Sequence, residues 1–223
     1  MTITESMVSL DAADGHRLDA FVAKPTGTRK GGLVILQEIF GMTDQLKSVV
    51  RGFAGDGYET ILPALYDRKA RATVVPFDKP DDGREIMSGL DKAKVMLDIA
   101  AAVKAVDGPG GVSALGYCWG GGLVLGAACE LDLRCGISYY GTRLMSYLDR
   151  TPRCPMLFHF GETDTMNTPP EVIEAVRKAI RGAETYVYKA GHAFANDARK
   201  TYVAEAAVPA RERSLAFLER NRG

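Results

Sequence analysis

The stretch Gly116-Tyr117-Cys118-Trp119-Gly120-Gly121 decides how this chain folds and where its chemistry sits. The run before it, Gly-Val-Ser-Ala-Leu-Gly at 111–116, reads as a short buried strand. The run after it, Gly-Gly-Leu-Val-Leu-Gly-Ala-Ala-Cys-Glu at 121–130, reads as a helix of small residues that can lie close to a sheet. A G-x-C-x-G-G pattern between strand and helix has the form of a nucleophile elbow with cysteine in the serine position. Gly116 and Gly120, two residues either side of Cys118, permit a sharp turn that lifts its side chain above the sheet. A helix beginning beneath the sulfur directs its N-terminal dipole at a thiolate. The same pattern can also hold a cysteine as a small buried hydrophobe, so the rest of the chain has to separate the two readings.

Working outward, 7–10 and 16–23 flank Asp14-Gly15, a hairpin signal, so the chain is expected to open with two antiparallel strands. Further strands are expected at 33–37, 59–62, 112–116, 136–139, 156–160 and 184–188. Helices are expected at 44–54, 84–106, 120–129, 169–180 and 201–220, with Asp44 and Thr168 as N-caps and Pro169 in a first helical position. Apolar strands alternating with helices predict an α/β fold with a mostly parallel central sheet flanked by helices, and one domain over residues 1–223. The polar connection 67–83, with Pro76 and Pro80, reads equally as a lid, a specificity loop or a plain surface loop.

Composition excludes several classes of partner. Lys+Arg and Asp+Glu both number 28, which gives no general attraction to nucleic acid or a membrane surface. The first residues lack a basic segment followed by an apolar one, and no run is long and apolar enough to span a bilayer. The four cysteines, at 118, 129, 135 and 154, show no paired metal-ligand spacing, and Cys129, Cys135 and Cys154 read as packing residues. These features predict a cytoplasmic protein, a monomer or small homo-oligomer, with no metal and no cofactor.

A cysteine nucleophile needs a base and a carboxylate that orients the base. Of three histidines, His16 follows the hairpin turn and reads as an exposed strand residue, and His159 sits inside an apolar strand as a core histidine. His192 differs, because Lys189-Ala-Gly-His-Ala-Phe194 follows a strand directly, on the sheet edge where α/β proteins gather their ligand groups. By the same logic Gly161-Glu-Thr-Asp164 offers an acid: Asp164 is the stronger candidate, and Glu162 is expected to face solvent. Cys118, Asp164, His192 is the chain order of nucleophile, acid and histidine in α/β-hydrolases.

With these residues in view, the chain resembles the dienelactone hydrolases (carboxymethylenebutenolidases), α/β-hydrolases with a Cys-His-Asp triad. The likeness runs from the hairpin to the last helix and is carried by Gln37-Glu-Ile-Phe-Gly41, Gly116-Tyr-Cys-Trp-Gly-Gly121, Tyr139-Tyr-Gly141 and Gly191-His-Ala-Phe194. The resemblance implies Cys118 as nucleophile, His192 as base and Asp164 as the orienting acid. It further implies that Glu38 lies near the sulfur and helps to deprotonate it, and that the backbone N–H groups of Ile39 and Trp119 form the oxyanion hole. Arg84, Asn196 and Tyr140 take substrate-binding positions by the same resemblance. The family holds its lactone's carboxylate with two arginines; Asn196 stands where one belongs, and Arg84 corresponds loosely to the other. Asparagine donates a hydrogen bond but brings no charge and no two-pronged clamp.

The expected activity is therefore hydrolysis of a small lactone or ester through a thioester on Cys118. Two readings of another class compete. A thiol redox sensor would use a low-pKa Cys118, but no C-x-x-C or resolving cysteine adjoins it. A non-catalytic binding protein would have no use for Cys118, His192, Asp164 and Glu38 together.

Overall fold

The computed structural model describes residues 2–222, in two compact units divided after residue 112. In the first unit β1 (Ile3–Asp11) and β2 (Arg17–Pro25) form the antiparallel hairpin, turning through Gly15 at φ +80°. His16 stands half-buried just before β2 rather than exposed within it, because the strand starts one residue later. β3 (Gly31–Leu36) is buried along its whole length and pairs parallel with β4 (Tyr58–Pro63), which runs antiparallel to β2. Between them lies α1 (Asp44–Gly55), whose N-cap is Thr43 rather than Asp44: the Thr43 hydroxyl oxygen accepts from Leu46 N–H at 3.3 Å.

One helix expected over 84–106 is two. α2 (Pro80–Ser88) closes at Gly89, and α3 (Lys92–Ala105) starts from Asp91, whose carboxylate accepts from the N–H groups of Ala93 and Lys94. α2 begins four residues before the expected start because Pro80 occupies its first turn, where a missing N–H costs nothing. The connection before it is correspondingly shorter and is tied down. Asp67 is buried and accepts from Asp19 N–H and Ala72 N–H, both at 2.9 Å, while Val75 N–H donates to Phe40 O at 2.9 Å.

The second unit holds four parallel strands in sequential order: β5 (Val112–Tyr117), β6 (Gly136–Tyr139), β7 (Met156–Gly161) and β8 (Glu184–Tyr188). The first three are buried at every residue, and β8 is only partly covered. α4 (Trp119–Glu130) is buried except at its last residue, as a small-residue helix pressed between layers must be. α5 (Pro170–Ala179) and α6 (Ala204–Asn221) complete the unit. α5 begins one residue later than expected, with Pro169 as its cap, because the Thr168 hydroxyl is directed to Asp164 instead. The α/β class and the N-terminal hairpin are as the sequence predicts. Among the described residues no helix is long and apolar enough to cross a membrane.

Candidate active site

Four successive parallel strands each end in a residue of interest: Cys118 after β5, Tyr140 after β6, Asp164 after β7 and His192 after β8. The carboxyl edge of a parallel sheet is where α/β folds place ligands, since side chains on successive loops converge there. Cys118 sits between β5 and α4 with φ 52° and ψ −115°, a conformation foreign to ordinary L-residues. Holding it costs of the order of 1–3 kcal/mol. The backbone around it supplies that restraint: Cys118 N–H donates to Tyr139 O at 3.0 Å, and Cys118 O accepts from Gly121 N–H at 3.0 Å and Thr142 N–H at 2.9 Å. Gly116 is required by the turn, because a Cβ there would meet the Gly120 carbonyl oxygen at 2.2 Å.

Left-handed backbone recurs beside it. Tyr140 has φ 38° and Ala193, directly after His192, has φ 62°, so three non-glycine residues at one sheet edge depart from ordinary geometry. Such strain persists only where surrounding contacts over-determine it, and it concentrates at functional sites.

The loops after β7 and β8 are stitched together. Glu162 N–H donates to Tyr188 O at 2.8 Å and Thr163 N–H to Ala190 O at 3.0 Å. Gly161 allows this approach, since a Cβ there would lie 2.7 Å from the carbonyl oxygens of Ala190 and Gly191. Asp164, 4% exposed, is thereby brought to His192, whose Nδ1 lies 2.6 Å from Asp164 Oδ2. On its other side, the Cys118 sulfur favours the charged form of His192. The three side chains are thereby gathered at one edge of the sheet, and Glu162 is exposed to solvent.

The electrostatics follow from that arrangement. Burial opposes the charged form of His192, but hydrogen bonds to Asp164 and Cys118 and their charges outweigh it, pushing the imidazole up to about 10. Burial would raise Asp164, yet donation from His192 and Asn167 holds it below its usual value. Burial raises the Cys129 thiol, takes Cys135 to about 11 and takes Cys154 to about 12.

Other candidates are placed as follows. Tyr140 is fully buried, with its ring edge-on to His192 at 5.1 Å between centroids. Trp119 is buried as the first residue of α4. Asn196 is buried four residues past His192, and its Oδ1 accepts from Ala198 N–H at 3.1 Å. In the first unit Glu38 and Ile39 are buried in the loop after β3. Tyr66 O–H donates to Ile39 O at 2.8 Å, and Gln37 Oε1 accepts from Leu65 N–H at 3.1 Å. Arg84 is exposed on α2, with its guanidinium 2.5 Å from Asp81 one turn earlier. Two partners of Asp164 escaped the sequence reading. Asn167 Nδ2–H donates to Oδ1 at 2.8 Å and Thr168 O–H to Oδ2 at 3.3 Å. The only signal for them was their position three and four residues after an acid on a strand-end loop. Among the described residues no His, Cys, Asp and Glu cluster could hold a metal ion.

Comparison with known proteins gives one consistent result. A model of the dienelactone hydrolase family matches residues 18–221. The chain is 32% identical to a carboxymethylenebutenolidase of Pseudomonas putida, over 95% of this chain and 94% of that protein. A solved Klebsiella pneumoniae protein, provisionally named a dienelactone hydrolase, is 26% identical with TM-score 0.86, covering 98% of this chain and 99% of that one. A dienelactone hydrolase structure from Anabaena variabilis, 15% identical with TM-score 0.75 and full coverage of both chains, shares the fold.

Proposed function

Since this chain belongs to the dienelactone hydrolase family, and so to the hydrolases of ester and lactone bonds, we propose that it works by acyl transfer through a Cys118-His192-Asp164 triad. One observation carries the reading: His192 is held by Asp164 at 2.6 Å and lies under the influence of Cys118, so nucleophile, base and acid meet in that order. With its Nδ1 proton engaged by Asp164, the imidazole turns Nε2 toward the sulfur. The charged imidazole keeps the sulfur beside it as a thiolate, and Cys118 attacks the substrate carbonyl from the strained elbow at the start of α4. The tetrahedral oxyanion is met by the N–H following the nucleophile, that of Trp119. His192 then protonates the departing alkoxide, leaving a thioester on Cys118. Water, deprotonated by His192, hydrolyses the thioester and returns the sulfur. This sequence calls for no metal and no organic cofactor. The roles that the resemblance gives Glu38 and Ile39 belong to the same proposal and rest on the resemblance.

The substrate we propose is a small ester or lactone that does not depend on a clamped carboxylate. Asn196 brings no charge, and the Arg84 guanidinium is engaged by Asp81. Tyr140, fully buried, packs edge-on against the His192 ring and steadies it. The reading treats the chain as one hydrolase domain, since the family model spans both units, and its free thiols suit the cytoplasm.

The test is hydrolysis of p-nitrophenyl acetate and of a dienelactone by the wild type and Cys118→Ala. The expected result is turnover of the neutral ester, abolished in Cys118→Ala, with the carboxylate-bearing dienelactone the poorer substrate. Near-normal turnover in Cys118→Ala would overturn the mechanism. Efficient dienelactone hydrolysis would overturn only the substrate assignment.

A further inference from the structure

We propose that Asn167 is a positioning residue of this site: its carboxamide holds Asp164 and dictates where His192 directs its Nδ1 proton. The inference rests on the triad reading above. Asp164 receives donors at both oxygens. Oδ1 accepts the Asn167 backbone N–H at 3.3 Å and its Nδ2–H at 2.8 Å, while Oδ2 accepts His192 Nδ1–H at 2.6 Å and the Thr168 hydroxyl at 3.3 Å. The carboxylate is thus fixed in plane and in rotation about its own axis. Asn167 Nδ2 also lies 3.3 Å from His192 Nδ1, so the amide rests against the acid and the imidazole together.

That double contact selects the orientation of the amide. Reversed, Asn167 would put its carbonyl oxygen against Asp164 Oδ1 with no proton between them. It would also offer the His192 Nδ1 proton a second acceptor and loosen the ring's hold on Asp164. In the orientation found, the carboxylate is the acceptor for that proton, and Nε2 is left to Cys118. Only a donor works at this position. Leucine fills similar space and donates nothing, and aspartate of the same shape brings a second carboxylate against the first. Two carboxylates so close share one proton, and the shared proton restores an O–H donor as pH falls.

Asn167 is half-buried on a loop whose neighbour Met166 is 89% exposed, which favours folded variants. The experiment measures kcat and KM for p-nitrophenyl acetate from pH 5 to 8 in wild type, Asn167→Leu and Asn167→Asp, with thermal unfolding of each. Expected at pH 8 is a fall in kcat of about ten- to a hundredfold in both variants, the scale of a misplaced catalytic group, with KM within about twofold. As pH falls, the ratio of Asn167→Asp to wild type should climb, while the ratio for Asn167→Leu stays flat. Wild-type kcat in both folded variants would overturn the proposal, as would an Asn167→Asp ratio that ignores pH. Cys118→Ala assayed alongside separates the failures. If it is active, the triad reading has failed; if it is inactive while the Asn167 variants match wild type, only the role of Asn167 has failed.

Discussion

Two histidines of the second unit, His159 inside β7 and His192 beyond β8, show how one side chain is put to opposite uses. His159 is fully buried among hydroxyl groups. Tyr188 O–H donates to its Nδ1 at 2.9 Å, and its Nε2–H donates to Ser214 Oγ at 3.0 Å. Ser214 O–H donates in turn to Ala210 O at 2.9 Å, and Arg213 donates to the Tyr188 oxygen at 2.9 Å. Each proton in that network has one place to go, and the ring is neutral. Burial, with the nearby charge of Arg213, pulls His159 down to about 3. His192 is also largely covered, with a side chain 23% exposed, yet it is pushed up to about 10. Burial opposes charge in both cases. The outcome turns on whether the partners are neutral hydroxyls or a carboxylate and a sulfur. The first arrangement holds the core, and the second stores a proton where chemistry can use it.

The comparison breaks most sharply at Asp164. Asp164→Asn removes the charge behind His192 and admits the wrong tautomer, so kcat/KM should fall by about 10³–10⁴. NMR titration should show His192 well below about 10 while His159 stays neutral. An unmoved His192 would contradict the argument. The next effect lies in the core. Ser214→Ala leaves His159 Nε2–H and Tyr139 O–H without their shared acceptor, and urea unfolding should show a loss of about 1–3 kcal/mol with the site's pH profile unchanged.

Acid gives a third handle. Because the folded-state value of His159 is depressed, the unfolded chain binds a proton first. Its contribution to stability is complete above its unfolded value of 6.5 and is lost progressively toward about 3. The slope across that window is about 1.4 kcal/mol per pH unit, and His159→Gln should flatten it. His192 has the opposite sign: its contribution is complete below 6.5 and is lost as pH rises through about 10. The smallest effect belongs to Glu162, exposed two residues before Asp164. Glu162→Gln should leave stability within about 0.5 kcal/mol and turnover at the wild-type level, which shows that proximity in sequence to the acid is not enough.

Much of the architecture is written locally. Buried strands appear as apolar runs, the hairpin as Asp14-Gly15, and the elbow as glycines spaced around Cys118, because each depends on a few neighbouring residues. The break between α2 and α3 is written locally too, in Gly89, which closes one helix, and Asp91, which caps the next. The placing of His192 and Asp164 on adjacent loops follows from strand order. Their partners do not follow in that way. Asn167 reaches Asp164 only through the path of its loop, and the Ser214 that holds His159 comes from a helix 55 residues away in sequence. Arg84 shows the converse, since an alignment can suggest a position but not that the guanidinium turns to Asp81.

The most direct measurement is rapid acid quench of the enzyme mixed with excess p-nitrophenyl acetate, followed by peptide mass spectrometry. The account predicts an acetyl thioester on the peptide bearing Cys118, present during turnover, absent after substrate is consumed and never seen in Cys118→Ala. Sustained turnover with Cys118 unmodified, and equal turnover by Cys118→Ala, would contradict it.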